Sequence, residues 1–290
     1  MKTSILSLTI IFTFQQMAHA QKDDFTQYYE LTIQARELLD KQDYSAAIKA
    51  SELSFSLVDC PASRDLEKAV EIALKMKDTL LVKKYCRTMA EIYGIIPSAK
   101  TIEDENFLQS LQNEFATEIA LAESQRDQFY ISLLDSLGNE DQAIRQNGAF
   151  EYINGIDSDS LRTVHLLSLI KVRGFPEERK VGKWGYNNAM RIFIHADFDL
   201  KNELLGKLML DNVMSGNMDP MDYAHIIDRR CNFRGERPYY NQVPFGYDKL
   251  IDQQKKDISE RRRKIGLRSV EESMAIETLP NGDLRASYKY

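Results

Sequence analysis

Apolar residues recur every three or four positions along most of this chain, which is the spacing of one face of an α-helix. Tyr28, Leu31, Ala35 and Leu38 form the first such stripe. No segment shows the sustained alternation of apolar and polar residues that is typical of a half-buried strand. We therefore predict an all-α fold.

The N-terminal stripes predict a hairpin of two helices that meet at a short turn near Asp43. So short a connection makes the two helices antiparallel neighbours. The pair resembles a tetratricopeptide unit, because small Ala35 and Ala47 stand where two helix axes would cross closely. A fainter copy has its turn at Asp78, 35 residues after Asp43 and close to the usual period of about 34.

Two further regions follow this predicted tetratricopeptide-like region, which we assign to residues 21–116. Residues 117–275 are predicted to form a helical bundle domain, and residues 276–290 a flexible C-terminal tail. Repeat-like stacks often hold a partner protein, so a protein-binding surface is one hypothesis for residues 21–116. A plain helical bundle without a ligand surface is the alternative.

Helix ends are well marked in residues 117–275. Gly174 followed by Pro176 is typical of a helix C-terminus, and Asp219 followed by Pro220 of a helix start. A long helix is predicted from Glu118 to Leu137, ending at Gly138. The basic run from Arg261 to Lys264 is predicted to be a solvated helix face.

The first twenty residues are typical of a secretory signal peptide. Lys2 provides the positive charge, Ile5 to Phe14 an apolar stretch, and Ala18 and Ala20 the small residues that a signal peptidase recognises. The apolar stretch is shorter than the roughly 20 residues of a membrane-spanning helix. We therefore expect an exported protein, periplasmic or extracellular, cleaved after Ala20 and without a membrane span after cleavage.

Composition argues against nucleic-acid binding. The chain has 38 Lys and Arg against 44 Asp and Glu, a formal net charge of −6. A protein with this charge is poorly suited to bind polyanions non-specifically. Neither a nucleotide-binding glycine motif nor a metal-ligand spacing of Cys or His is present, so we expect no cofactor and no metal.

Cys60, Cys86 and Cys231 make an odd number of cysteines for an oxidising compartment. A disulfide between Cys60 and Cys86 is conceivable, because both fall in one small helical region. Buried free thiols are the favoured alternative, since the sequence cannot supply the Cα geometry that a disulfide needs.

An ordered set of short motifs resembles an uncharacterised bacterial domain-of-unknown-function family over residues 124–275. The set includes Asp141, Gln142 and Arg145, then the Gly174–Pro176, Val181–Gly182 and His195–Asp197 segments. It continues with Ala224, Asp228 and Arg229 and closes at Arg262, Arg263, Gly266 and Leu267. Family members have a glycine after the tyrosine of a later loop, where this chain has Asn241. The resemblance implies a domain and no activity.

Four polar residues are the candidates for chemistry: His195, Asp197, Asp228 and Arg229. A histidine titrates near neutral pH, and a nearby aspartate orients the ring and stabilises its charged form. Asp141, Arg145 and His165 are more distant candidates. The alternative is that these groups only satisfy one another inside a helical bundle, with Asp228 and Arg229 fastening the next loop.

An aromatic loop from Phe233 to Tyr247 offers a second candidate. Arg237, Tyr239 and Tyr240 are suited to stack on a sugar or a peptide if they are exposed. A loop packed over the bundle is the equally favoured interpretation. Taken together, the sequence favours a binding or protein-interaction module over an enzyme. The alternative is a hydrolase or metal-binding enzyme that uses His195 with Asp197 or Asp228.

Overall fold

The computed structural model describes residues 25–146, 152–153, 156–196, 203–242, 247–278 and 284–288. Their fold is all-α, as predicted, with two short strand pairs added. The first helices are α1 (residues 25–40), α2 (Tyr44–Phe55), α3 (Ser63–Lys75), α4 (Thr79–Tyr93), α5 (Glu105–Glu114) and α6 (Ala116–Ser124). They are followed by α7 (Gln128–Gln146), α8 (Ser158–Arg173), α9 (Glu178–His195), α10 (Glu203–Val213), α11 (Pro220–Phe233), α12 (Asp252–Lys264) and α13 (Val270–Ser273).

The strands form two antiparallel pairs. β1 (Tyr152–Ile153) pairs with β2 (Ile156–Asp157) directly before α8. β3 (Met274–Thr278) pairs with β4 (Leu284–Tyr288), so residues expected to form a flexible tail contain two paired strands. A 3₁₀ helix, Tyr247–Lys249, precedes α12. None of the described helices is long and apolar enough to cross a membrane.

The turns between α1 and α2 and between α3 and α4 have the same construction. Gln42 and Lys77 adopt the left-handed conformation, with φ values of 62° and 58°. The next residue, Asp43 or Asp78, accepts backbone N–H groups of the following helix. A carboxylate at this position satisfies amides that have no partner inside the helix. The same local solution therefore occurs twice, 35 residues apart. The protein partner expected for this region stays a prediction.

Two large cores lie among the described residues. One is built from α2 to α5, around Ala47, Leu66, Tyr85 and Leu111. The other is built mainly from α7 to α11, but it also contains Phe25, Tyr28 and Tyr29 from the first turn of α1. The N-terminal helix therefore contributes its aromatic end to the core of the C-terminal half.

The long helix expected from Glu118 to Leu137 is in fact two helices, α6 and α7, separated by residues 125–127. Asp127 marks this break, because its carboxylate accepts the N–H of Tyr130 at the start of α7. Gly138, expected to end the helix, lies inside α7. It is required there by packing, since a Cβ atom at this position would lie 2.5 Å from Oδ1 of Asn188 in α9.

The ends predicted from capping residues are confirmed. Gly174 follows the last turn of α8 with φ of 78°. Asp219 caps α11 by accepting the N–H of Met221, and Pro220 occupies the first turn. The basic run in α12 is only partly solvated, because the side chain of Arg262 is 2% exposed. Its guanidinium donates to the carbonyl oxygens of Arg268 and Tyr240, which explains its burial.

Candidate functional site

Four polar residues of the motif set, Asp141, Arg145, His195 and Arg229, come together from the helices α7, α9 and α11. Asp141 and Arg145 lie one turn apart near the end of α7, and His195 is the last residue of α9. Arg229 lies near the end of α11. Asp197 lies outside the described residues. Asp141 and Arg145, the more distant candidates from the sequence, are thus direct neighbours of His195.

His195 contacts Asp141 through one ring nitrogen. Its Nδ1 is 2.9 Å from Oδ1 of Asp141 and 3.0 Å from Nε of Arg145. A single Nδ1 cannot donate to the carboxylate and accept from the guanidinium at the same time. We assign the proton to Nδ1, because an unprotonated nitrogen would place its lone pair against a charged carboxylate. Nε2 then faces away from Asp141.

Asp141 is the centre of this cluster. Its side chain is 0% exposed and accepts hydrogen bonds from Gln142, Arg145 and His195. Burial alone would raise the pKa of Asp141, but the hydrogen bonds from His195 and Arg145 lower it to about 2. The carboxylate of Asp141 is therefore charged at neutral pH.

Two further members were missed in the sequence. Arg145 binds both oxygens of Asp159 with its Nη2, at 2.9 and 3.0 Å. Arg162, 6% exposed, binds Asp159 and lies 3.7 Å from Asp141. The only local signals were an acid in the first turn of α8 and an arginine three residues later, a spacing that places both on one helix face. Neither signal identifies partners on α7.

Arg229 differs from these paired arginines. It has no salt bridge among the described residues, and its guanidinium stacks 4.9 Å from the ring centre of Phe233. Its Nε atom, like that of Arg162, is buried without a hydrogen-bond partner. Burial and the positive charge of Arg145 lower its pKa, while Asp159 and Asp141 oppose that shift. Burial and the positive charge of Arg229 both lower the pKa of His225, which lies one turn earlier in α11. The positive charge of Arg229 is thus incompletely neutralised.

Asp228 does not pair with His195. Its carboxylate is 3% exposed and accepts the backbone N–H groups of Tyr240 and Gln242, at 2.6 and 2.5 Å. Burial raises its pKa in spite of these bonds. Asn241, between the two donors, has φ of 50°, a left-handed conformation that asparagine tolerates better than most residues with a side chain. Asp228 therefore fastens a turn, and Asp141 takes the place expected for it beside His195.

The aromatic loop is divided between core and surface. Tyr240 is 5% exposed and packs against Tyr223 and Tyr239, so it does not meet the condition of exposure on which its candidacy as a ligand contact depended. Tyr239 is 46% exposed, and Arg261 stacks on its ring at 4.3 Å. Arg237 is exposed. The physical reason for this division is the turn held by Asp228, which directs Tyr240 inward.

The remaining candidates stay apart from this cluster. His165 is exposed on α8. Cys60, Cys86 and Cys231 are all free thiols, so the conceivable bridge between Cys60 and Cys86 is not formed. Within the described ranges, no group of three or more His, Cys, Asp and Glu side chains is arranged to hold a metal ion.

Comparisons with family models, with curated proteins and with solved structures found no match to this chain.

Proposed function

We propose that this chain is an exported binding protein and that the cluster around Arg229 holds a small oxyanion of the phosphate type. The observation that carries the proposal is that Arg229 is half-buried and has no salt bridge among the described residues, and that its Nε atom is buried without a hydrogen-bond partner. A buried cation without a partner is unfavourable, and a bound anion removes that cost.

The charge balance of the cluster supports an anionic ligand. Arg145 and Arg162 are neutralised by Asp141 and Asp159, which lie within salt-bridge distance of them. Arg229 adds one positive charge to this neutral set. Guanidinium groups are well suited to phosphate, because their planar donors match two of its oxygens.

Titration calorimetry with inorganic phosphate tests this proposal. We expect Arg229→Gln to weaken phosphate binding by about tenfold or more, the usual scale for loss of one charge-assisted contact. Arg173→Gln is the matched control, because Arg173 is also a helical arginine but is paired with Asp127. Equal phosphate affinity in wild type and Arg229→Gln, or no binding by wild type, contradicts the proposal.

A second candidate function is hydrolysis that uses His195 as an acid or base. The contact between Asp141 and His195 favours it, because an aspartate that orients the ring leaves the other nitrogen available for proton transfer. The test is hydrolysis of p-nitrophenyl phosphate by wild type and His195→Gln. Turnover that disappears in His195→Gln supports the enzyme, whereas phosphate binding without turnover supports the binding protein alone.

Export remains part of the proposal. N-terminal sequencing of the protein recovered outside the cytoplasm is expected to begin at Gln21. Ala18→Asp is expected to block that cleavage, because the peptidase requires small residues there. A product that keeps its first twenty residues would contradict this prediction.

A further inference from the structure

A second site lies away from Arg229, in a cavity of about 290 Å³ between the two halves of the chain. Five segments that are distant in sequence contribute to its wall: the start of α1, residues 59–64, Tyr93 at the end of α4, the start of α9, and residues 215–222. Cavities at such junctions are common ligand sites. No described residue of the motif set that indicates the domain-of-unknown-function family lines it.

Aromatic rings form the apolar part of this wall. Tyr28, Tyr29, Tyr93 and Tyr186 all line the cavity. Their hydroxyl groups are already used, since they donate to Asp65, to the carbonyl oxygens of Val213 and Pro61, and to Asp222. Tyr28 and Tyr29 are 1% and 2% exposed, and Tyr93 and Tyr186 are 7% exposed each, so the ring surface open to a ligand comes mainly from the last two. Aromatic ring surface attracts organic cations as well as apolar groups.

Part of the charge in the wall cancels. Arg64 binds Asp219 and lies 3.6 Å from Asp65, which in turn binds Arg36. These two arginines and two aspartates form a neutral network. Arg179 likewise pairs with Glu177 at 2.7 Å.

Three carboxylates of the wall have no salt bridge among the described residues: the exposed Asp59, and Glu178 and Asp222. Glu178 accepts from Ser63 through Oε2, and Asp222 accepts from Tyr186 through Oδ2. Within the described part of the chain, the second oxygen of each has no hydrogen-bond partner. Burial and the charge of Asp219 raise the pKa of Asp222 to about 6, and burial also raises the pKa of Glu178. Lys183 also lines the wall, is exposed, and opposes the rise in the pKa of Glu178 through its positive charge.

We propose that this cavity binds a small organic cation, with an ammonium or guanidinium group between Glu178 and Asp222 and its carbon skeleton against the tyrosine rings. The cation supplies the charge that the two carboxylates lack. The aromatic wall holds the apolar part and adds a cation–π attraction. This site takes the opposite charge from the phosphate proposed at Arg229, so the two proposals stand independently.

The experiment is a calorimetric titration of the full mature chain at pH 7 with n-butylammonium, benzylammonium and n-butylguanidinium. Benzyl alcohol and benzoate are the neutral and anionic counterparts of benzylammonium. We expect at least one cation to bind, and each counterpart to bind about tenfold more weakly or not at all. Absence of binding by all three cations, or equal binding of benzylammonium and benzyl alcohol, overturns the proposal.

Isosteric variants separate binding from folding. Asp222→Asn and Glu178→Gln are each expected to weaken cation binding about tenfold, as removal of one charged partner does elsewhere. Both carboxylates have raised pKa values, so we expect their neutralisation to remove an unfavourable buried charge and to leave the free energy of unfolding unchanged or higher, which urea unfolding checks. Lys183→Gln is expected to strengthen binding. An unchanged affinity in both carboxylate variants contradicts the proposal.

Cys60 gives a second readout. It lines the cavity and is half-buried, whereas Cys86 and Cys231 are buried. A bound cation is expected to slow alkylation of Cys60 by neutral iodoacetamide in wild type and not in the double variant Asp222→Asn and Glu178→Gln. Equal slowing in both proteins would place the cation elsewhere and overturn the proposal.

Discussion

Oδ1 of Asp141 lies 2.9 Å from Nδ1 of His195, a contact between α7 and α9 that joins residues 54 positions apart. Asp141 is fully buried, so its charge depends on this imidazole and on Arg145. The pair therefore has a structural role whether or not His195 takes part in chemistry. The first prediction measures that role.

Asp141→Asn is expected to lower the free energy of unfolding at pH 7 by about 3 kcal/mol, because it leaves Arg145 and Arg162 to share one carboxylate, that of Asp159. The pKa of Asp141 is lowered to about 2 in the folded protein. The contribution of Asp141 to stability is therefore complete above about 3.9, the pKa of an aspartate in the unfolded chain, and is lost as the pH falls towards 2. Urea unfolding between pH 7 and pH 2.5 measures both effects.

Glu140→Gln is the control for Asp141→Asn, because Glu140 is the preceding residue of α7 and is exposed. We expect it to change the free energy of unfolding by less than about 0.5 kcal/mol. A stability difference between wild type and Asp141→Asn that stays constant down to pH 2.5 would show that the carboxylate is not the titrating group.

Asp228→Ala is expected to release the turn around Asn241. It leaves the N–H groups of Tyr240 and Gln242 without their acceptor, at a cost of about 2 to 4 kcal/mol. Hydrogen exchange should show faster exchange of these two amides in the variant. Asp228→Asn, which keeps one acceptor oxygen, should lose less stability. Wild-type exchange rates with abolished phosphate binding would instead assign Asp228 to the binding site.

Gly138→Ala tests the close approach of α7 and α9. The new methyl group would lie 2.5 Å from Oδ1 of Asn188, which is hydrogen-bonded to Arg191. We expect a loss of about 1 to 3 kcal/mol, measured by thermal or urea unfolding.

Gly206→Ala is the matched control for Gly138→Ala, because Gly206 lies in α10 with nothing within 4 Å of the position of its Cβ. The same substitution there should raise stability by about 0.5 to 1 kcal/mol, since alanine favours the helix. A destabilisation of equal size at both positions would show that contact with Asn188 is not the cause.

Thiol accessibility tests the state of the three cysteines. The denatured, unreduced protein is expected to react with three equivalents of Ellman's reagent. The native protein should react first at Cys60, since Cys86 is 0% and Cys231 is 3% exposed. Burial, with the charge of Glu114, also raises the pKa of the Cys86 thiol to about 12, which keeps it protonated. A single reactive thiol after denaturation would indicate a disulfide.

The sequence was sufficient for features whose causes are local. The helical class follows from apolar spacing, and Gly174, Asp219 and Pro220 mark helix ends because capping depends on a few adjacent residues. Asp43 and Asp78 could be assigned to turns for the same reason. A glycine can end a helix or allow two helices to approach closely, and the sequence does not distinguish the two. Gly138 was predicted to end a helix, but it lies inside α7, where it packs against Asn188.

Only the tertiary structure decided which polar groups meet. Asp141 and His195, like Asp228 and Tyr240, are joined by chain folding, and side-chain type alone cannot tell a partner on α7 from one on α11. The burial of Arg262 depends on carbonyl groups from two loops that are not visible in the local sequence. The basic run therefore indicated a solvated helix face instead. The cavity beside Asp222 is formed by five distant segments. Burial raises the pKa values of its carboxylates Glu178 and Asp222, and this burial cannot be predicted from any one stretch of the sequence.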